Sequence, residues 1–400
     1  MTLLAVEDAR GRILAGVDPT PAEEIALAAA AGRTLAAAVV ATRAQPPFAA
    51  SAMDGYAVRA ADAPAGATLR LTGESTAGRR HKGTVGAGEA VRIYTGAPVP
   101  DGADAILIQE NADGAGPAII VREAPAPGRF IRPEGLDFAA EARLLPAGRR
   151  LGAREMALAA AANAAVLSVR RRPLVAVLSI GDELVPPGGA PGPDQIIGSS
   201  AAGIAAIIAA AGATAIDLGI APDRPADVIA AAKRAEAAHA DVLVTLGGAS
   251  VGDYDVVRPA LAAAGMTLDF WRIAMRPGRP MLFGALGQMR VLGLPGNPVS
   301  ALVCALLFLR PLIAALLGEP QADETESAVT GAPLAANDGR EDYLRATLRR
   351  REDGLPVATP LPRQDSSMLS ALADADCLLI RPVNAHAEPV GAPCRILRLR

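Results

Sequence analysis

Between residues 174 and 317, short apolar runs alternate with helical stretches, and this alternation limits the fold more than any other feature of the chain. Residues 174–180, 215–220, 242–246, 268–273, 281–283 and 291–294 read as strands. Residues 200–211, with Ser199 or Ser200 as cap, and 225–239, 255–264 and 297–317 read as helices. Such a pattern predicts a three-layer α/β domain over residues 173–318, with a mostly parallel sheet covered on both faces. Ligands of these sheets gather beyond the carboxyl ends of the strands. Three loops follow strands here: Gly181-Asp182-Glu183, residues 247–255, and Pro295-Gly296-Asn297. They are expected to converge on one edge.

The second of these loops belongs to DVLVTLGGASVGDYD, residues 241–255. A strand breaking at Gly247-Gly248 and feeding a helix can present bare backbone N–H groups to an anion such as phosphate. Ser250, Asp253 and Asp255 follow, and carboxylate oxygens are the hard ligands that magnesium prefers. A glycine pair after a strand is also, more simply, a tight turn.

The flanking sequence divides into three further regions. Residues 1–44 and 141–172 are expected to form a discontinuous helical domain. One helix carries Val6, Ala9, Ile13 and Leu14; a second follows Thr20-Pro21 with Thr20 as cap; a third spans 151–165. Residues 45–140 read as a β-rich insertion with strands at 53–60, 68–72, 90–94, 105–109 and 119–121. Residues 319–400 read as a C-terminal β domain entered through a polar linker at 318–330.

Charge and cysteine usage exclude several classes of function. A net charge of −3 over 400 residues gives no general attraction to nucleic acid or anionic lipid. The basic runs at 79–82 and 170–172 lack interleaved aromatics and read as solvated loops. Three cysteines without metal-ligand spacing point to a reducing, cytoplasmic setting. The three isolated histidines give no zinc site or histidine-based triad. The longest apolar run, 299–309, is short for a bilayer span and is interrupted by Arg310-Pro311.

Other stretches carry polar groups at turns. Ser51 to Ala57, SAMDGYA, contains Asp54-Gly55, a tight-turn pair or an exposed carboxylate beside a ligand. RIYTGAPVP ends a strand at Thr95, whose hydroxyl suits a phosphate or only an ST-turn. The adjacent acids of Gly181-Asp182-Glu183 are unusual at a strand end unless solvated or metal-bound. Arg276-Pro277-Gly278-Arg279-Pro280 sets two guanidinium groups about a turn, as an oxyanion clamp or a solvated tip. In LPGNP, Asn297 as cap and Pro298 at the first helical position explain the residues, with anion binding as an addition.

Taken together and in order, SAMDGYAVR, RIYTGAPVPDGADAILIQE, SIGDEL, GGASVGDYD and LPGNPVSA resemble the molybdopterin molybdenumtransferase family, of the MoeA and gephyrin E-domain type. The likeness continues through REDYLRA at 340–346 and SSMLSALADADCL at 366–378. It implies a four-part subunit whose last domain is a β-barrel-like fold, and an elongated homodimer. In that dimer the active site lies between the α/β domain of one subunit and the β insertion of the other. The implied activity is insertion of molybdate into adenylylated molybdopterin with release of AMP, dependent on Mg2+. By motif matching, Asp54, Thr95, Asp137, Glu183, Asp223 and Asp255 would be the polar site residues, with Glu183 and Asp255 on the metal. Gly247, Gly248 and Ser250 would cradle the nucleotide and its phosphates, beside Pro295, Gly296 and Asn297. Arg276 and Arg279 would hold the oxyanion. Ser366 and an arginine within 340–345, matched to Arg345, would come from the last domain. The resemblance also leaves room for contact with other cofactor-biosynthesis proteins or a molybdoenzyme. The chain departs from the family at Ala49-Ala50, Ile180, Ser199-Ser200, Arg276 and Arg279. These changes keep open a second reading, a carrier of molybdopterin or its finished cofactor that lacks the insertion step. A scaffold role for the dimer is a third.

Overall fold

The computed structural model describes residues 3–114, 116–248, 256–352 and 354–399. Its contacts group the chain into two compact units, residues 24–169 and the combination of 1–23 with 170–400.

In the larger unit, the apolar runs form a six-stranded sheet. Its spatial order is Thr214–Ala221, Leu174–Ile180, Val242–Leu246, Met289–Leu294, Leu282–Leu286, Thr267–Phe270. The first four strands are parallel and the last two antiparallel. Every residue of Val242–Leu246 is buried, as a strand covered on both faces requires. One face packs on Ser200–Ala210, the Pro298–Leu316 helix and Val6–Leu14; the other packs on Pro225–Ala237 and Val257–Ala263. The C-terminal sheet closes into a barrel through Glu341–Arg350, Pro356–Pro360, Thr325–Thr330, Pro393–Arg398 and Cys377–Arg381. Thr325–Thr330 takes the place expected for a linker. Met275–Arg276 leaves the α/β sheet and adds to this barrel, parallel to Glu341–Arg350.

The smaller unit holds a sheet ordered Ala105–Ile108, Gly55–Val58, Glu89–Ile93, Thr68–Ser75, Ala118–Val121, Ala112–Asp113. These strands fall where alternation and turn residues place them.

The helical region differs from expectation. No helix follows Thr20: its hydroxyl donates to Arg171 O (2.7 Å) and its N–H to Leu316 O (2.7 Å), Ala22–Ala26 is a strand, and only a 3-10 turn forms at Leu27–Ala29. Tertiary bonds to Thr20 override the local capping preference. Val6–Leu14 buries Ala9 and Ile13 in the core shared with the Pro298–Leu316 helix, and Ala153–Ala161 buries Ala159 in a separate core with Leu35 and Leu167. The two do not share a helical core, since an alanine-rich face names no partner.

Arg310-Pro311 does not end the long apolar helix. Its turn at Ala305–Leu309 widens to π geometry just before Pro311. A wider turn relieves the proline ring and the lost N–H. By length and composition the 19-residue helix suffices to cross a bilayer, but 61% of it is buried inside the protein as a core element.

Candidate functional site

In the smaller unit, the SAMDGYAVR and RIYTGAPVP stretches are zipped together. Ser51 N–H donates to Ala97 O (2.9 Å) and Gly96 N–H to Ser51 O (2.8 Å). The Asp54 carboxylate accepts the Thr95 N–H (2.7 Å) and the Thr95 hydroxyl (2.8 Å). Those bonds, the backbone one first and then the hydroxyl, with the Arg92 charge behind them, hold its carboxyl below the usual carboxylate value. Asp54-Gly55 is therefore not a simple turn pair. Gly55 begins a strand, and a Cβ there would overlap the Leu107 carbonyl oxygen, so the glycine allows close strand approach.

Arg92 lies between the rings of Tyr56 (4.9 Å) and Tyr94 (5.1 Å), and its Nη2 donates to Gln109 Oε1 (2.9 Å). Sequence reasoning missed this stack, because it needs the cross-strand register Tyr56 opposite Arg92. Asp137 is exposed and donates its N–H to Gln45 O (2.9 Å). Ile131 lies opposite Ser51 on the same ribbon, so Asp137 sits several residues along it from Asp54 and outside the Asp54–Thr95 pair.

In the larger unit, the three strand-end loops converge as expected over their described parts. A Cβ on Gly247 would lie 2.7 Å from Ile180 O and 3.8 Å from Gly296 Cα. A Cβ on Gly248 would lie 2.6 Å from Val257 and 3.2 Å from Ile180. Both glycines have positive φ, 88° and 66°, which side chains resist. Gly247 N–H extends the ladder to Leu294 O (3.2 Å), so it is not open to a phosphate, whereas Gly248 N–H has no partner among the described residues. Ser250 and Asp255 lie outside the described residues.

On the neighbouring strand end, Asp182 and Asp223 each accept the other's backbone N–H at 3.3 Å. The Glu183 carboxylate is exposed, folds back into the space a Cβ on Gly181 would need, and has no hydrogen-bond partner among the described residues. That is a free hard-oxygen donor of the type a magnesium ion takes. Among the described residues, no three His, Cys, Asp or Glu side chains gather closely enough to share a metal.

The C-terminal barrel reaches the third loop. Asn297 Nδ2 donates to Ser366 Oγ (2.9 Å), and Val299 N–H donates to Ser366 O (3.1 Å). Asn297 therefore starts the helix by backbone conformation and spends its side chain on Ser366, not on a cap bond. Ser199 likewise makes no side-chain cap bond. The Val299 bond occupies one of the amides expected to be free at this helix start. Pro295 is buried and Gly296 exposed beside it. Arg345 is only 1% exposed; its Nη2 donates to Asp365 O (3.0 Å) and burial lowers its pKa. It anchors the loop carrying Ser366. Arg276 does not stand free beside Arg279, because Nε and Nη2 grip Asp342 at 2.8 and 2.6 Å. Arg279 is exposed and unpaired among the described residues.

Of the departures, Ile180 is buried and packs on Gly248, and Ala50 is buried beside Arg132 and Pro98. Ala49 accepts the Val99 N–H through its backbone (2.8 Å). These positions now serve packing and ladders.

Comparison with known proteins gives a concordant picture. Three family models match in succession: "MoeA N-terminal region (domain I and II)" over residues 4–163, "Probable molybdopterin binding domain" over 176–315, and "MoeA C-terminal region (domain IV)" over 327–399. The molybdopterin molybdenumtransferase of Haemophilus influenzae is 35% identical over 385 residues, covering 94% of each chain. That of Nostoc sp. is 38% identical over 387 residues, covering 94% of this chain and 88% of its own. The crystal structure of a molybdopterin biosynthesis MoeA protein from Pyrococcus horikosii matches over 100% of both chains with a TM-score of 0.85 and 27% identity.

Proposed function

This chain belongs to the MoeA family of molybdopterin molybdenumtransferases, and we propose that it inserts molybdate into adenylylated molybdopterin with release of AMP. The observation that carries the reading is the meeting of the glycine- and acid-bearing strand ends at Ile180, Gly247 and Gly296, with Ser366 against the third. Carboxyl ends of parallel strands are where such sheets bind phosphate-bearing ligands. Gly248 N–H, with Ser250, receives phosphate oxygens; Asn297 and Ser366, bonded to each other, flank the third strand-end loop.

Glu183 and Asp255 would hold Mg2+. Bound there, the ion would offset the negative charge that builds on the phosphate as the link to AMP breaks. Asp182 and Asp223, each bonded to the other's amide, tie the Glu183 loop to the neighbouring strand end. The molybdate dianion meets an arginine of the RPGRP turn. Asp54, with Thr95, supplies a second polar group, which a homodimer brings to the site from the other copy, as the family resemblance implies. Free thiols at Cys304, Cys377 and Cys394 accord with a cytoplasmic setting, which cell fractionation tests.

Purified protein supplied with adenylylated molybdopterin, Mg2+ and molybdate is expected to release AMP and yield active cofactor. Glu183→Ala should abolish that release while its thermal transition stays in place. Wild-type protein that binds the pterin but frees no AMP would be a carrier, and the transferase reading would be lost.

A further inference from the structure

We propose that Arg92 is a positioning residue: through Gln109 and two tyrosine rings it fixes Asp54 at the point where three strands meet. The proposal rests on the reading of Asp54 as a polar group of the site.

Asp54 stands just before the strand Gly55–Val58, which runs between Glu89–Ile93 and Ala105–Ile108. Its carboxylate accepts both Thr95 bonds at one oxygen, Oδ1, at 2.7 and 2.8 Å. Oδ2 is left without a hydrogen bond among the described residues. The Asp54 backbone carbonyl accepts the Gln109 N–H (3.2 Å). A free carboxylate oxygen meets a ligand at a defined place only if the backbone that carries it is held as well.

Arg92 supplies that hold. Its guanidinium lies 4.9 Å from the Tyr56 ring and 5.1 Å from the Tyr94 ring, and Nη2 donates to Gln109 Oε1 (2.9 Å). Tyr56 follows Asp54 by two residues, Tyr94 immediately precedes Thr95, and Gln109 bonds to Asp54 O. One cation thus clasps all three segments whose relative placement decides where Asp54 stands. Tyr56 and Arg92 are opposed in register, so the clasp is built across strands and not along one. Glu74, opposed to Arg92 on its other side, does not compete, because it is taken by Arg79 at 2.8 Å. The Arg92 charge is the weakest of the influences on the Asp54 carboxyl, which leaves geometry as its larger contribution. A guanidinium can lie over a ring while its in-plane N–H groups still bond in a fixed fork; an ammonium has no such plane.

The test compares Arg92→Met, Arg92→Lys, Gln109→Leu and the double variant Arg92→Met/Gln109→Leu. Hydrogen exchange is read at the Thr95 amide, bonded to Asp54, and at the Val121 amide, bonded to Ala67 O across the same sheet. Each single variant should speed Thr95 exchange by about fivefold or more and leave Val121 unchanged, which a general loosening of the sheet would not allow. For AMP release, kcat should fall about tenfold while KM for adenylylated molybdopterin stays within about twofold. The double variant should be no worse than the stronger single one, since both act through one route. Lysine should not rescue, because it keeps the charge and loses the stack and the fork. Wild-type behaviour in Arg92→Lys would make charge the working property, and unchanged Thr95 exchange in Gln109→Leu would break the route; either result overturns the proposal. Gln109 is exposed, so Gln109→Leu carries the test should Arg92→Met fail to fold. If Asp54→Ala keeps wild-type turnover, the reading of Asp54 as a site group is lost. If Asp54→Ala abolishes turnover while the Arg92 and Gln109 variants keep wild-type kcat, only this proposal is lost.

Discussion

One neighbour does most to lower the carboxyl pKa of Asp54. Thr95 donates through both backbone and hydroxyl, and Arg92 adds charge from its place between two tyrosine rings. These bonds favour the charged form, so the group titrates below its ordinary 3.8. A depressed carboxyl lends stability above its unfolded-state value and loses it as pH falls through the folded-state value. The window for this residue therefore lies at and below 3.8, and Asp54 remains charged throughout the neutral range. Thr95→Val removes the hydroxyl bond and leaves the larger backbone contribution. Its Asp54 titration, followed by carbon-detected NMR, should shift part of the way upward, and the acid limb of turnover should follow. A midpoint equal to wild type would mean that the hydroxyl does not hold the charge. The sequence identified Asp54 and Thr95 as candidates, but not their bond, because nothing in residue order fixes register across strands. Asp342 was hidden for a related reason: in REDYLRA the arginines drew attention, while the fork to Arg276 spans 66 positions.

At the scale of elements, strand ends form the candidate site and glycines let them approach. Gly247 combines a φ of 88° with a Cβ position 2.7 Å from Ile180 O. Gly296 faces the same junction, but its Cβ would meet only Gly247 Cα at 3.5 Å. Two glycines in one junction should thus respond differently. Gly247→Ala is expected to cost about 2–4 kcal/mol from left-handed strain and overlap, and Gly296→Ala less than about 1 kcal/mol. Urea unfolding of both variants checks this, and equal costs would refute the close-approach argument. The central strands and the Pro298–Leu316 helix were legible because continuous apolar runs between turn residues have few other solutions. The Thr20-Pro21 cap was misleading: its local signal was sound, but Thr20 is used by Arg171 and Leu316.

At the scale of the molecule, Asp54 and Thr95 belong to the unit of residues 24–169, and Glu183, Asn297 and Ser366 to the other. The homodimer reading assigns each complete site to groups from two copies. Co-expressed Asp54→Ala and Glu183→Ala chains, each inactive alone, should then recover about a quarter of wild-type AMP release, since half the dimers are mixed and each carries one intact site. Absence of recovery would refute a site shared between copies. The sequence by itself determined the α/β core, the two β regions and the strand-end loops that meet at Gly247 and Gly296, because apolar period and turn residues act over a few positions. Only the tertiary structure decided that Val6–Leu14 joins the α/β core, that Asn297 serves Ser366, and that Arg276 is committed to Asp342. Each of these is a contact between residues far apart in the chain, and such contacts are selected by burial and charge pairing in the folded protein, not by local order.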